Sequence, residues 1–303
     1  MLSKIKNALV MLYDINSKLT KLQQAIGRIE SRQNDMLKTR EFAENEFQVY
    51  SQWGEDGLIQ YLIKNIAIDN KIFVEFGVET YQESNTRFLL INNNWSGLII
   101  DGSESNIAKI KSDSIYWKYN LKAECAFIDR DNINELISKN GISGDIGLLS
   151  VDIDGNDFWV WEAISVIEPR IVICEYNSLF GSEKSVSIPY DASFYRTAAH
   201  ESNLYWGASI SAFYELGKSK GYSLVGSNRA GNNIFFVKSD LLGHIEAVAA
   251  KNAYVQSKFR EVKDRSGNLT YLPFEQRLGI IADMPLINVC DGSKELIRDI
   301  YGL

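Results

Sequence analysis

IGLLSVDIDGNDFWVWEAI, residues 146–164, reads as a strand, a polar turn and the start of a helix. The run up to Val151 is almost uniformly apolar, as expected of a strand buried on both faces in a parallel sheet. Gly155 lets the chain turn, and Asn156 or Asp157 caps the helix FWVWEAI. The turn holds three aspartates, Asp152, Asp154 and Asp157, and one asparagine. A calcium-binding EF-hand loop needs glycine at its sixth position and a bidentate glutamate at its twelfth. Counted from Asp152, those places hold Asp157 and Ala163, so this loop type is excluded. Read as a strand end, the segment IGLLSVDID (146–154) instead alternates Asp152 and Asp154 onto one face.

Similar apolar runs lie on either side: KIFVEFGV (71–78), SGLIIDGS (96–103), CAFID (125–129) and RIVICEYN (170–177). Between them the spacing predicts helices over 84–92, 105–111, 133–140 and 158–166, with a further helix over 208–220. YSLVGS (222–227) and NIFFVKS (233–239) close the sheet as an antiparallel pair. This alternation predicts an α/β fold, a doubly wound Rossmann-like sheet with right-handed crossovers. Ligands of such sheets bind at the carboxyl ends of the strands. The unit spans 47–240, and 241–303 is expected to be a helical or irregular extension packed on it.

Residues 1–40 form a separate unit. Ile5, Ala8, Leu12, Ile15, Leu19, Leu22, Ile26, Ile29, Gln33 and Met36 recur at alternating spacings of three and four, the a and d positions of a heptad repeat. A stripe this narrow predicts a coiled-coil helix that joins copies into a homo-oligomer through 5–36. The alternatives are an amphipathic helix folded back on its own domain and a helix lying on a membrane surface.

The chain has 303 residues, 45% of them hydrophobic, enough for a sizeable core, and a net charge of −7. That charge argues against a nucleic-acid footprint. Cys125, Cys174 and Cys290 are far apart, which indicates neither a disulfide framework nor a zinc site. The opening residues are too short and too charged for a transmembrane span and lack a cleavage site. The expected location is the cytoplasm, with attachment to the inner face of the membrane as its peripheral variant.

The strand ends carry the chemistry. Glu75 and Gly77 end the first run, but no GxGxxG follows, so the pyrophosphate cradle of a dinucleotide site is missing. Ser84 and Asn85 stand at the predicted helix start. About twenty-five residues after Glu75, Asp101 and Ser103 end the second run, where a carboxylate accepts from ribose hydroxyls. Asp129 ends the third, near a base edge. Gln52, in SQWGEDGLI (51–59), is placed to pack over an adenine, although Ser51 and Glu55 also fit a plain helix start. The set fits a nucleoside without phosphates. S-adenosylmethionine is such a ligand, and its sulfonium suits an acidic pocket.

Glu75-Phe76-Gly77, Asp101-Gly102-Ser103, SVDIDGND and VICEYN together resemble a class I S-adenosylmethionine-dependent methyltransferase, most closely the FkbM-like group that acts on glycans and polyketide sugars. The resemblance covers about 47–240. It implies that Glu75, Gly77, Asp101 and Ser103 contact the cofactor and that the carboxylates near Asp152 face the methyl-transfer site. The glycine loop after the acidic residue is reduced here to Gly77 alone. A coiled-coil leader before such a domain is also similar to bacterial surface-polysaccharide enzymes.

By strand alternation Glu175 and Asn177 lie beside Asp152 and Asp154. The four would either hold a divalent metal such as Mg2+ that orients substrate hydroxyls, or supply a carboxylate base. Their plain structural reading is a helix cap at Asp157 and an ion pair between Glu175 and Arg196. His200 lies in the long segment 177–206, which is placed to cover the site, and is either a base or an ordinary loop histidine. Tyr190, Tyr195, Tyr205 and Trp206 of that segment are candidates to stack on a sugar, and Asn228, Arg229 and Asn232 to bind its hydroxyls. The expected function is O-methylation of a hydroxyl on a sugar, glycan or related small molecule, in surface-polysaccharide biosynthesis. The alternatives are a coiled-coil scaffold carrying a non-catalytic methyltransferase-like domain, and a metal-dependent sugar-modifying enzyme that does not use this cofactor.

Overall fold

The computed structural model describes residues 2–37, 41–259, 262–264 and 266–303. Helix α1 (Leu2–Leu37) comes first, followed by α2 (Glu55–Asn65). Strands β1 (Ile72–Phe76), β2 (Ser96–Asp101), β3 (Leu121–Cys125), β4 (Gly144–Val151) and β5 (Ile167–Glu175) run parallel. β6 (Val186–Ser187) leaves this sheet, and β7 (Tyr222–Ser227) and β8 (Asn233–Lys238) complete it. The order is β3-β2-β1-β4-β5-β8-β7, with β8 antiparallel to both of its neighbours. The doubly wound α/β sheet expected from the sequence is therefore present, including its antiparallel closing pair.

The uniform apolar runs follow from burial on both faces. Phe73, Leu148, Ile171 and Ile173 pack with Leu58 and Leu62 of α2, Leu89 and Leu90 of α3 (Arg87–Asn93), and Ile107 and Ile110 of α4 (Glu104–Ser112). A short helix, α5 (Ser114–Lys118), follows on that side. Their neighbours Val74, Leu149, Val172 and Cys174 face the opposite layer. That layer comprises α6 (Ile133–Lys139), α7 (Asp157–Ala163) and, beyond α8 (Arg196–Ala199), α9 (Ile210–Ser219), with Trp161 and Phe213 at its centre.

Three expectations are corrected. β3 is LKAEC, not CAFID: it is an edge strand whose Leu121 and Ala123 are buried while Lys122 and Cys125 are exposed, so its signal alternates, and the apolar stretch after it is loop. α3 begins at Arg87 because the backbone of Asn85 and Thr86 is bonded to Glu75. The C-terminal part carries strands as well: β9 (Pro285–Asn288) and β10 (Lys294–Leu296) join β6 in a small sheet of order β10-β9-β6. Leu179, Phe180, Ile188, Leu204, Ile281 and Leu286 form its core, which ties the segment after β5 to the chain's end.

α1 lies against its own domain by a face of small and polar residues. The Gln24 amide donates to the Tyr50 hydroxyl at 2.7 Å, Asn34 to the Asn45 carbonyl at 2.9 Å, and the Lys64 ammonium to the Ser31 carbonyl at 2.9 Å. A β-carbon at Gly27 would overlap Val49, so only glycine permits this approach. The side chains of Ile5 and Ala8, and residues 38–40 of the link, lie outside the described residues. Among the described residues no helix is long and apolar enough to cross a membrane.

Candidate active site at the carboxyl edge of the sheet

A pocket of about 1100 Å3 opens at the carboxyl ends of β1, β2, β4 and β5. That is large enough for a nucleoside cofactor together with an acceptor. Among the described residues, seven acidic side chains and one basic one, Arg196, border it.

At the β1 end Glu75 is buried, and its carboxyl accepts from the Asn85 N–H at 2.8 Å, the Thr86 N–H at 3.1 Å and the Thr86 hydroxyl. It thus pins the loop 78–86, where Glu79 and Tyr81 hold positive φ angles of 46° and 59°. Glu75 acts first on the chain itself, and any effect on a ligand passes through that loop. Burial outweighs the hydrogen bonds and pushes its pKa from 4.5 up to about 7. The folded state therefore keeps this proton up to about pH 7, and the unfolded chain only to about 4.5. The stability it contributes is complete below about pH 4.5 and is lost as pH rises through 7. Wild-type protein is expected to be more stable at pH 5.5 than at 7.5 by on the order of 1–3 kcal/mol from this group, and Glu75→Gln should flatten that difference. Thermal unfolding of both proteins at the two pH values checks this; identical pH dependence would remove Glu75 as the cause.

Gly77 has φ +70°, and a β-carbon there would overlap the Asp152 carbonyl oxygen, so the turns after β1 and β4 touch. Asp101, at the end of β2, accepts from the Glu79 N–H at 2.8 Å, the Ser103 N–H at 2.8 Å and the Asn106 amide at 3.2 Å. A carboxylate has about four acceptor positions, so one is left for a ligand hydroxyl. Ser103 caps α4 by accepting from the Asn106 N–H at 3.3 Å. Phe127, 51% exposed, borders the pocket beside them and offers a flat apolar face.

The turn after β4 departs from the sequence reading. The strand stops at Val151, and Asp154 takes φ +57°, so Asp152 and Asp154 do not share a strand face. Asp154 is 63% exposed and meets Arg196 of α8 at 2.7 Å. Asp157 is the first residue of α7 rather than its cap: it accepts from the Ile153 and Gly155 N–H groups, both at 2.8 Å, and braces the turn. Burial pushes its pKa up to about 7.

Asp152 and Glu175 remain at the pocket wall. The two carboxyls are close enough to feel each other's charge. Burial, and then each other's charge in the case of Glu175 and that of Asp154 in the case of Asp152, raise both far above the usual carboxylate range. Glu175 Oε2 is buried without a hydrogen-bond partner in the protein.

Several expected site residues are placed elsewhere. Asn177 is buried, donates to the Leu204 and Trp206 carbonyls at 3.0 and 2.9 Å, and caps the short turn Ser178–Phe180; it belongs to the scaffold. The set Asp152, Asp154, Glu175 and Asn177 is accordingly split, and among the described residues no three His, Cys, Asp or Glu side chains are grouped to hold a metal. His200 does not border the pocket; its Nδ1 bonds the Ser202 hydroxyl at 2.8 Å within its own loop. Asp129 accepts from the Asp131 and Asn132 N–H groups ahead of α6, since β3 ends four residues earlier. Ser84, Asn85 and Gln52 border the pocket. So does Tyr195, whereas Tyr205 donates to the Pro285 carbonyl at 2.5 Å and is part of the core.

Sequence reading missed a polar clamp. The buried carboxylate of Glu55 accepts from the Trp53 N–H at 2.9 Å, the Asn228 amide at 2.6 Å and the Asn233 amide at 2.9 Å. The clamp fastens the loop before α2 to the β7–β8 hairpin and sets Trp53, stacked on Phe259 at 5.4 Å, over the pocket mouth. The repeated asparagines of SNRAGNN are the signal available, but Asn228, expected to bind sugar hydroxyls, instead donates to Glu55.

No protein-family model and no curated protein sequence matches the chain. Among solved structures, it is similar to the N-terminal domain of EvdMO1 with SAH bound, at 12% identity and TM-score 0.40, over 70% of this chain and 95% of that one. It is also similar to the O-methyltransferase TomG from Streptomyces achromogenes in complex with SAM, at 10% identity and TM-score 0.39, over 72% and 89%. The CurJ carbon methyltransferase matches at 10% identity and TM-score 0.39, over 63% and 57%. Scores at this level carry neither activity nor substrate from one chain to another.

Proposed function

We propose that this chain is an S-adenosylmethionine-dependent methyltransferase that methylates a hydroxyl oxygen of a sugar, glycan or related small molecule. The observation that carries this reading is the placement of two neighbouring carboxyls, Asp152 and Glu175, on the wall of an acidic pocket at the ligand edge of a doubly wound sheet. The residues present fit the cofactor: a cationic sulfonium suits the acidic wall, Asp101 keeps an acceptor position for a ribose hydroxyl, and Phe127 offers a face for a base. When bound, the cofactor supplies a methyl group on a positively charged sulfur, which departs as a neutral thioether. The chain's own task is to orient the acceptor in line and to take its proton. The acceptor O–H passes its proton to the ionised member of the Asp152–Glu175 pair as the O–C bond forms. The motif set also supports an FkbM-like assignment, and the coiled-coil leader a place in surface-polysaccharide biosynthesis.

Titration calorimetry with S-adenosylmethionine tests the reading, followed by transfer of labelled methyl to a panel of monosaccharides and nucleotide sugars. Saturable one-to-one binding and label in a hydroxylated acceptor are expected. A folded sample that shows no binding at millimolar cofactor would leave the scaffold alternative in its place.

A further inference from the structure

On α1, Thr20, Gln24, Gly27, Ser31 and Asn34 turn toward the domain and are buried or half-buried. The opposite stripe, Leu12, Ile15, Leu19, Leu22, Ile26, Ile29 and Met36, is between 43% and 77% exposed. The domain thus occupies the b and f positions of the heptad and leaves the a and d seam bare. Seven such side chains leave on the order of 500 Å2 of apolar surface in one strip, at the upper end of what a monomer exposes. With the flanking polar stems this approaches the roughly 800 Å2 that each partner buries in a standard interface.

We propose that this seam is covered by α1 of a second copy, in a parallel, in-register two-stranded coiled coil. The seam's period of 3.5 residues matches only another helix that supercoils with it. Gln33 is the single polar residue of the described seam, at an a position. In a parallel in-register pair it meets its own copy and the two amides bond each other. An antiparallel pair that overlaps the full stripe sets Gln33 against Ile15, with no partner for its amide. It also sets Lys18 against Arg32, two like charges, twice along the flank where the g positions of the two helices meet. In the parallel arrangement Lys18 faces Gln23 and Arg32 faces Leu37, so no like charges meet. Two strands fit better than three or four, because the e-position Gln23 is bonded to the Val49 carbonyl of its own domain and higher-order coils bury the e and g flanks.

The test uses the full chain with Cys125→Ser and Cys290→Ser, which removes the exposed native thiols. Sedimentation at micromolar concentration should give twice the chain mass, and Leu19→Glu with Ile26→Glu should give one chain mass with unchanged thermal stability of the domain. Gln33→Cys under mild oxidation should yield a disulfide-linked pair in high yield, because only the parallel in-register arrangement brings residue 33 to its copy. A wild-type monomer, a trimer or tetramer, or a dimer that Gln33→Cys does not cross-link would each overturn the proposal. So would a monomer that binds anionic phospholipid vesicles through the same stripe.

Discussion

Asp152→Asn is expected to lower methyl transfer by about 10²- to 10⁴-fold while leaving S-adenosylmethionine affinity within about threefold. The asparagine keeps the volume but has no carboxylate to accept a proton. Loss of the Asp152 charge also removes one of the causes that hold Glu175 above the ordinary carboxylate range, so its pKa should fall. With wild type, the acid limb of the rate profile should lie above the range near pH 4 typical of an isolated carboxylate, because the pair titrates as a unit. Turnover and calorimetry on the same preparations separate the two effects. Full turnover in Asp152→Asn would exclude the pair as the proton acceptor, while parallel loss of binding and turnover would show that Asp152 holds the cofactor instead.

Gly77→Ala should be the most damaging single methyl in the site. The residue has φ +70°, which costs an L side chain about 1–2 kcal/mol, and its added carbon would fall on the Asp152 carbonyl, a backbone atom that cannot rotate away. We expect a loss on the order of 3–5 kcal/mol and a fall in Tm of roughly 10 °C, or failure to fold. Gly102→Ala provides the contrast. A β-carbon there finds its nearest neighbour at 3.6 Å, so its stability should stay within about 0.5 kcal/mol of wild type. Equal melting temperatures for Gly77→Ala and wild type would mean that the two turns are free to separate.

The central parallel strands were legible because both of their faces are buried, which leaves runs such as IFV (72–74) and IVIC (171–174) free of polar residues. β3 was misplaced by a few residues because an edge strand alternates and its apolar overflow looks more strand-like than the strand itself. Within the site, Asp101, Asp152 and Glu175 were readable as strand ends, since position along a buried run fixes which edge a residue reaches. What the residues do there was less readable. Asp154 looked equivalent to Asp152 until one positive φ angle turned it toward Arg196, and Asn177 until the strand ended two residues before it. The clamp from Glu55 to Asn233 spans 178 positions, and no local pattern announces a hydrogen bond of that reach.

The strand order carries a consequence for biosynthesis. β8 is inserted between β5 and β7, so the last strand of the large sheet to be made is not at its edge. While the ribosome is still producing the hairpin, β7 has no sheet to join and the β5 edge that bears Glu175 is uncovered. Only when residue 238 has emerged can the chain zip both ladders at once, with Asn233 reaching back to Glu55 in the same event. Late, long-range closure of this kind is slow and leaves a strand edge open to the wrong neighbour. Nascent chains stalled before β8 should therefore depend on chaperone cover, and the part of the pocket wall that Asn233 supplies should form only once β8 has emerged.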